Sequence, residues 1–285
     1  MRVWGVRLCA PKAGSVLPLD GRIGDRIELV KQDMLVAAIY DIHGNLPALE
    51  SVLDEINSIS VDRIVVGGDI LPGPFPVETI ELLRSVRIPI DFISGNGERE
   101  TLELLAGKES RLPQSVQDAM TWNGRQLNTQ QQEFVGNFPE TLRLTLPQVG
   151  EVLFCHASPR NDNDIFTKNT PDKNIASLFL DSPQMVVCGH THMQFDRRVG
   201  NVRVINAGSV GMAFGSNDAQ WLLIGNDFQF KSTEYDIVLA GERIRSSDYP
   251  DSENFVSNYV ENHPSESEMI AMYESVATQT LDPNS

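Results

Sequence analysis

Cysteine is scarce in this chain. Its 285 residues include three, Cys9, Cys155 and Cys188, and their spacing fits neither a disulfide framework nor a zinc knuckle. Cys155 and Cys188 lie in apolar runs beside histidines and read as small buried hydrophobes. Long hydrophobic runs are also missing, since none approaches the roughly 20 residues that a bilayer requires. Arg7 and Lys12 interrupt the N-terminal stretch before a signal core can form. With no membrane span and no secretory signature, the chain reads as cytoplasmic. Positive charge is short as well: 23 Lys and Arg stand against 39 Asp and Glu, a net −16. That balance opposes binding of a nucleic-acid polymer. No Lys or Arg follows Arg245, whereas Asp248, Asp251, Glu253, Glu261, Glu266, Glu268, Glu274 and Asp282 do. Residues 246–285 therefore read as a solvated acidic tail with one short helix at most.

What is present is a regular alternation of strands, loops and helices. Residues 1–33 lack clear periodicity and read as an N-terminal extension or as upstream sequence from a mistaken start codon. From Met34 the run 35–40 reads as a buried strand. Pro47 then falls in the first turn of a helix whose apolar face is Leu49, Val52, Leu53 and Ile56. A second unit follows, with a strand at 63–66 and a helix carrying Ile80, Leu83 and Val86. A third strand, 88–93, leads into the loop beginning at Ser94. This order predicts a largely parallel layer flanked by helices, with functional groups at the carboxyl ends of the strands. The Gln-rich stretch 123–139 reads as an exposed helix. Strands are predicted at 142–146, 152–155, 185–188, 195–199, 202–205, 221–224 and 228–233, forming a second, more antiparallel sheet.

Histidine placement carries the chemical signal. Four of the five histidines sit at strand ends rich in Gly and Asp. Asp41-Ile-His43 follows the first strand, Gly67-Gly-Asp69 the second and Gly95-Asn96 the third. Cys155-His156 ends another strand, and Gly189-His-Thr-His192 follows a later one. One such residue usually satisfies a turn. Five such sites, each with metal-capable chemistry, do not arise that way by accident. Carboxylate, amide oxygen and neutral imidazole together suit Mn²⁺, Fe²⁺ or Zn²⁺ better than a metal that prefers thiolates.

The ordered set Asp-x-His, Gly-Asp, Gly-Asn, His, Gly-His-x-His resembles the calcineurin-like metallophosphoesterases, nearest to their small bacterial and archaeal phosphodiesterase-like branch. The resemblance spans about residues 34–235. It implies an α/β fold, a two-sheet β-sandwich flanked by helices in four layers, over a domain of residues 34–245. It also implies two divalent ions, Mn²⁺ first, with Fe²⁺, Zn²⁺ or Mg²⁺ as alternatives. Asp41, His43 and His192 would hold one ion, Asn96, His156 and His190 the other, and Asp69 would bridge them. Asn96 and His190 are read as catalytic as well as ligating. Two ions sharing a water would make the hydroxide that attacks phosphorus in a small phosphoester.

One position departs from the family. Many members carry a histidine directly after Gly-Asn, credited with protonating the leaving group or orienting phosphate. Here Gly97 stands there, followed by Glu98. Glu98 reads as a replacement acid or, at a helix start, as a partner for the helix dipole. The missing imidazole favours a diester over a monoester, since a diester carries less charge to neutralise. Arg160 is the expected substrate contact, with Arg99 a weaker one; Asn206 and Ser209 would orient either the groups behind the metal ligands or the substrate, and His263 matches no motif. Two other readings compete: a scaffold of this fold that has lost catalysis, and a nuclease, which the acidic charge disfavours. Oligomeric state has no signature here.

Overall fold

The structure, a computed structural model, describes residues 34–280, with side chains to residue 277. The readings of residues 1–33 and of Cys9 lie outside the described residues. The elements, in chain order, are β1 (Val36–Ile39), α1 (Leu46–Ser58), β2 (Arg63–Val66), α2 (Pro76–Ser85), β3 (Ile90–Phe92), α3 (Asn96–Leu105), α4 (Gln114–Gln126) and α5 (Thr129–Gly136). Then come β4 (Thr141–Leu146), β5 (Gly150–Cys155), α6 (Asp172–Ile175), β6 (Met185–Cys188), β7 (Phe195–Val199), β8 (Val202–Asn206), β9 (Ala219–Ile224), β10 (Phe228–Thr233), α7 (Ile237–Arg245), α8 (Ser252–Tyr259) and α9 (Glu266–Thr280).

They build two five-stranded sheets, in the orders β10-β9-β1-β2-β3 and β4-β5-β6-β8-β7. β1, β2 and β3 run parallel, as do β5, β6 and β8. Side-chain alternation sorts β1 between two cores. Val36, Ala38 and Tyr40 pack toward Val152, Phe154, Val187 and Ile205 of the other sheet, in the layer between the two sheets. Ala37 and Ile39 face the helical side, against Leu49, Val52, Ile56, Ile80 and Leu83. The second sheet turns Leu153, Cys155, Val186, Cys188 and Val204 to Phe166, Ile175, Leu178 and Phe179. The four-layer sandwich expected from the sequence is therefore the observed fold, and Cys155 and Cys188 are free, buried thiols within it.

Three details differ from the sequence reading. The late hairpin β9–β10 does not join the second sheet. It pairs antiparallel with β1 through Ala38↔Leu222 and extends the first sheet. The Gln-rich stretch is two helices, not one, because Asn128 starts α5 afresh: its side chain accepts from Gln131 N, and the Gln131 side chain answers to Asn128 N. It is not exposed throughout either, since Asn123, Leu127, Gln131 and Val135 are buried. Finally, the acidic C-terminal stretch carries α8 and α9, with Phe255, Val256, Val260, Met269 and Ala277 buried. Its charges lie outward while apolar residues three to five apart supply an inner face, so charge counting hid the packing. Among the described residues no helix is long and apolar enough to cross a membrane.

Candidate metal centre

The parallel strands deliver their carboxyl ends to one edge of the sandwich. β1 leads to Asp41 and His43, β2 to Asp69, β5 to His156 and β6 to His190 and His192, while Asn96 opens α3. The loops are sewn together by backbone bonds: Asp41 N donates to Gly68 O, His43 N to Asp69 O, and Gly189 N to His156 O. The side chains converge as two groups, Asp41 with His43 and His192, and Asp69 with His156 and His190. Asn96 joins the second, its Oδ1 3.1 Å from His156 Nε2. Asp69 turns one carboxylate oxygen to each group, Oδ2 3.7 Å from His43 Nε2 and Oδ1 3.4 Å from His156 Nε2.

The backbone at the ligand positions is unusual. Asp41, His43, Asp69, His190 and His192 all have left-handed φ, between +46° and +67°; Ser60 is the one other such non-glycine among the described residues. Each costs of order 1 kcal/mol, a strain that collects where function over-determines geometry. Close approach also explains local glycine. A Cβ on Gly189 would lie 2.4 Å from Asp41 Oδ2, the atom that accepts from His190 N.

Hydrogen bonding sets the imidazole tautomers. Nδ1 of His43, His156 and His192 faces the carbonyls of Pro72 (3.3 Å), Gly67 (2.9 Å) and Met212 (3.0 Å). A carbonyl offers no proton, so each Nδ1 donates, which leaves Nε2 of each ring, once neutral, as the inward-facing lone pair. His43 and His192 then oppose two lone pairs at 3.2 Å, and the buried Asp41 Oδ1 has no hydrogen-bond partner. His190 presents Nδ1, 3.2 Å from His156 Nε2. Inward lone pairs around an orphaned carboxylate oxygen are what a divalent cation satisfies, so the donor set fits a pair of borderline or hard ions.

Electrostatics agree. Burial alone would push His156 down, but Asp69 and Asp41 outweigh it and raise its pKa to about 10. Burial and the neighbouring His156 lower His190 to about 4, and burial likewise lowers His43. Although burial opposes it, the surrounding imidazoles hold Asp69 and Asp41 below the usual carboxylate range.

Glu98 has a role that the sequence reading only half anticipated. Its buried carboxylate accepts from the backbone N–H groups of Asp69 (2.8 Å), Leu71 (2.9 Å) and Gly95 (2.8 Å). It clamps the Asp69 loop to the start of α3, and its oxygens are occupied, so it is not a free replacement acid. Gly97 N donates to Asp69 Oδ1 at 2.7 Å, and a Cβ on Gly97 would lie 2.0 Å from Leu71 O. The position that bears histidine in many relatives is closed here to any side chain.

The expected substrate contacts divide. Arg160 and Arg99 line a pocket of about 130 Å³ with His156, Ser158 and Thr141. Arg160 pairs with Asp164, and Arg99 binds Asp162 through two nitrogens, at 2.7 and 3.0 Å. Asn206 and Ser209 are fully buried. Asn206 Nδ2 donates to Gly189 O (2.6 Å) and Thr191 Oγ1 (3.1 Å), while Ser209 Oγ donates to Asp41 O (2.8 Å). Both position the ligand-bearing loops. His263, half-buried, meets Asn217 and joins neither ligand group.

Residues 34–225 match the calcineurin-like phosphoesterase superfamily domain. An uncharacterized protein of Methanocaldococcus jannaschii is 28% identical over 239 residues, 76% of this chain and 94% of that protein. The crystal structure of a metallophosphoesterase from Sphaerobacter thermophilus superposes with a TM-score of 0.62 at 25% identity, covering 79% of this chain and 97% of that one. A hypothetical protein from Pyrococcus horikoshii gives 0.67 at 18% identity, covering 81% and 100%, and shares the fold.

Proposed function

The chain belongs to the calcineurin-like phosphoesterase superfamily, and from that premise we propose that it hydrolyses a small phosphodiester with two divalent ions, Mn²⁺ foremost, in the cytoplasm. The observation that carries this reading is the convergence of the two ligand groups, with Asp69 turned to both. Asp41, His43 and His192 would hold one ion, Asn96, His156 and His190 the other. When bound, a pair of such ions supplies the Lewis acidity that acidifies water and neutralises phosphoryl oxygens. The protein's own part is to hold seven ligands at one edge of the sandwich, fix three imidazole tautomers through backbone carbonyls, and clamp the Asp69 loop through Glu98.

Gly97 supports a diester over a monoester. No side chain fits there to add positive charge or a proton donor, so the substrate with the smaller charge and the better leaving group is favoured. The pocket beside His156 is small, about 130 Å³, and the net charge of −16 disfavours long polyanions. The test is turnover of a bis(nitrophenyl) phosphodiester against a nitrophenyl monoester, in Mn²⁺, Mg²⁺, Fe²⁺ or Zn²⁺ and after chelation. Metal-dependent hydrolysis that is faster for the diester is expected. A metal-loaded protein inert on both would instead support the scaffold reading.

A further inference from the structure

Helix α9, from the stretch that looked like a solvated acidic tail, packs on residues that adjoin one ligand of the metal centre. Its inner face is Met269, Ile270 and Tyr273, spaced at helical intervals, and it closes a cluster with Met193 and Phe214. Both contacts lead straight to a ligand. Met193 follows His192 in the chain, and the Phe214 ring stacks on the His192 ring at 5.1 Å and 20°. The Tyr273 ring lies 6.4 Å beyond Phe214.

The helix is pinned at several points. Glu274 accepts from Thr167 Oγ1 (2.6 Å) and also from Thr170, Lys168 pairs with Glu266 (2.8 Å), and Gly215 N donates to Pro264 O (3.1 Å). These bonds tie α9 to two segments, 167–170 after β5 and 208–216 after β8, that flank the histidine loops. Along this inner face the charged groups have partners, whereas no described residue hydrogen-bonds the half-buried Tyr273 phenol. The phenol oxygen is not sealed in the interior, so it is open to a ligand.

We propose that α9 forms a wall of the substrate site and that the Tyr273 hydroxyl donates a hydrogen bond to a phosphoryl oxygen of the bound phosphoester. This rests on the phosphoesterase reading above. Tyr273 then supplies a neutral donor in a site whose Gly97 position admits no side chain. Burial, followed by the charges of Asp41 and Asp69 and the Tyr259 phenol, holds the Tyr273 pKa well above its ordinary value. The group therefore stays protonated and acts as a donor, not as a proton-transferring acid.

The test compares Tyr273→Phe, which removes only the hydroxyl, with Met272→Ala on the exposed face of α9. Both are loaded with Mn²⁺ and assayed for hydrolysis of a bis(nitrophenyl) phosphodiester and, by calorimetry, for binding of inorganic phosphate. Tyr273→Phe should lower kcat/KM about 10- to 100-fold and phosphate affinity about tenfold, with metal content and Tm unchanged. Met272→Ala should leave all four readouts near wild type. Wild-type kcat/KM and phosphate affinity in Tyr273→Phe would overturn the proposal, as would a loss that tracks lost metal or lowered Tm. A metal-loaded wild type that neither hydrolyses the diester nor binds phosphate would overturn the phosphoesterase reading, and this inference with it.

Discussion

At the scale of single residues, Asp69 has the largest expected effect because it faces both ligand groups. Asp69→Ala should lose more metal than any change at Asp41, His43, Asn96, His156, His190 or His192. Elemental analysis of the purified variants checks this, and full occupancy in Asp69→Ala would contradict the bridging role. Titration at His156 has a definite sign. Its pKa, raised to about 10, leaves it protonated at neutral pH in the metal-free protein, whereas a ligand nitrogen must be bare. His43 and His190 are lowered and already neutral. Metal uptake at pH 7 should therefore release about one proton, and affinity should climb with pH up to about 10. Calorimetry of Mn²⁺ binding in buffers of different ionisation enthalpy measures that release; none at pH 7 would contradict it.

Gly97 is the residue where sequence and structure part. On sequence alone, restoring histidine there should help poor leaving groups. The backbone closes that route, because a Cβ would meet Leu71 O at 2.0 Å. Gly97→His should instead destabilise the protein by more than about 2 kcal/mol, as overpacking against backbone does, and lower activity by displacing the Asp69 loop. Thermal unfolding of this variant checks the first half. The ligands were legible because each of the five motifs follows a strand and four of them carry or adjoin glycine. Their left-handed φ values and the Glu98 clamp were not, since both depend on how three loops meet in space.

At the scale of elements, the Gly189-His-Thr-His192 loop is held by Asn206 at the end of β8 through Gly189 O and Thr191 Oγ1. Asn206→Ala should weaken metal affinity about 10- to 100-fold while leaving every ligand in place. Competition with a chromophoric chelator measures this, and unchanged affinity would show that the loop holds itself. The strands were readable almost to the residue from their apolar runs and turn signals. The membership of β9–β10 was not, because a hairpin's own pattern does not say which sheet edge receives it. Helix α9 was missed because acidic residues on its outer face outweighed Met269, Ile270, Tyr273 and Ala277 within, which recur at helical spacing and were the available signal.

At the scale of the whole molecule, two mixed sheets bring the carboxyl ends of β1, β2, β5 and β6 to one edge. A buried concentration of ligands then forms inside a protein of net charge −16. The family and the four-layer fold were legible in the ordered motifs. What closes the site was not, because α9 and the pocket segments carry no motif. The central claim is that these loops hold two ions. Anomalous diffraction from crystals grown with Mn²⁺ tests it most directly. Two peaks about 3.5–4 Å apart are expected, one amid Asp41, His43 and His192, the other amid Asn96, His156 and His190, with Asp69 between. A single peak, or none at these residues in a fully loaded crystal, would contradict it.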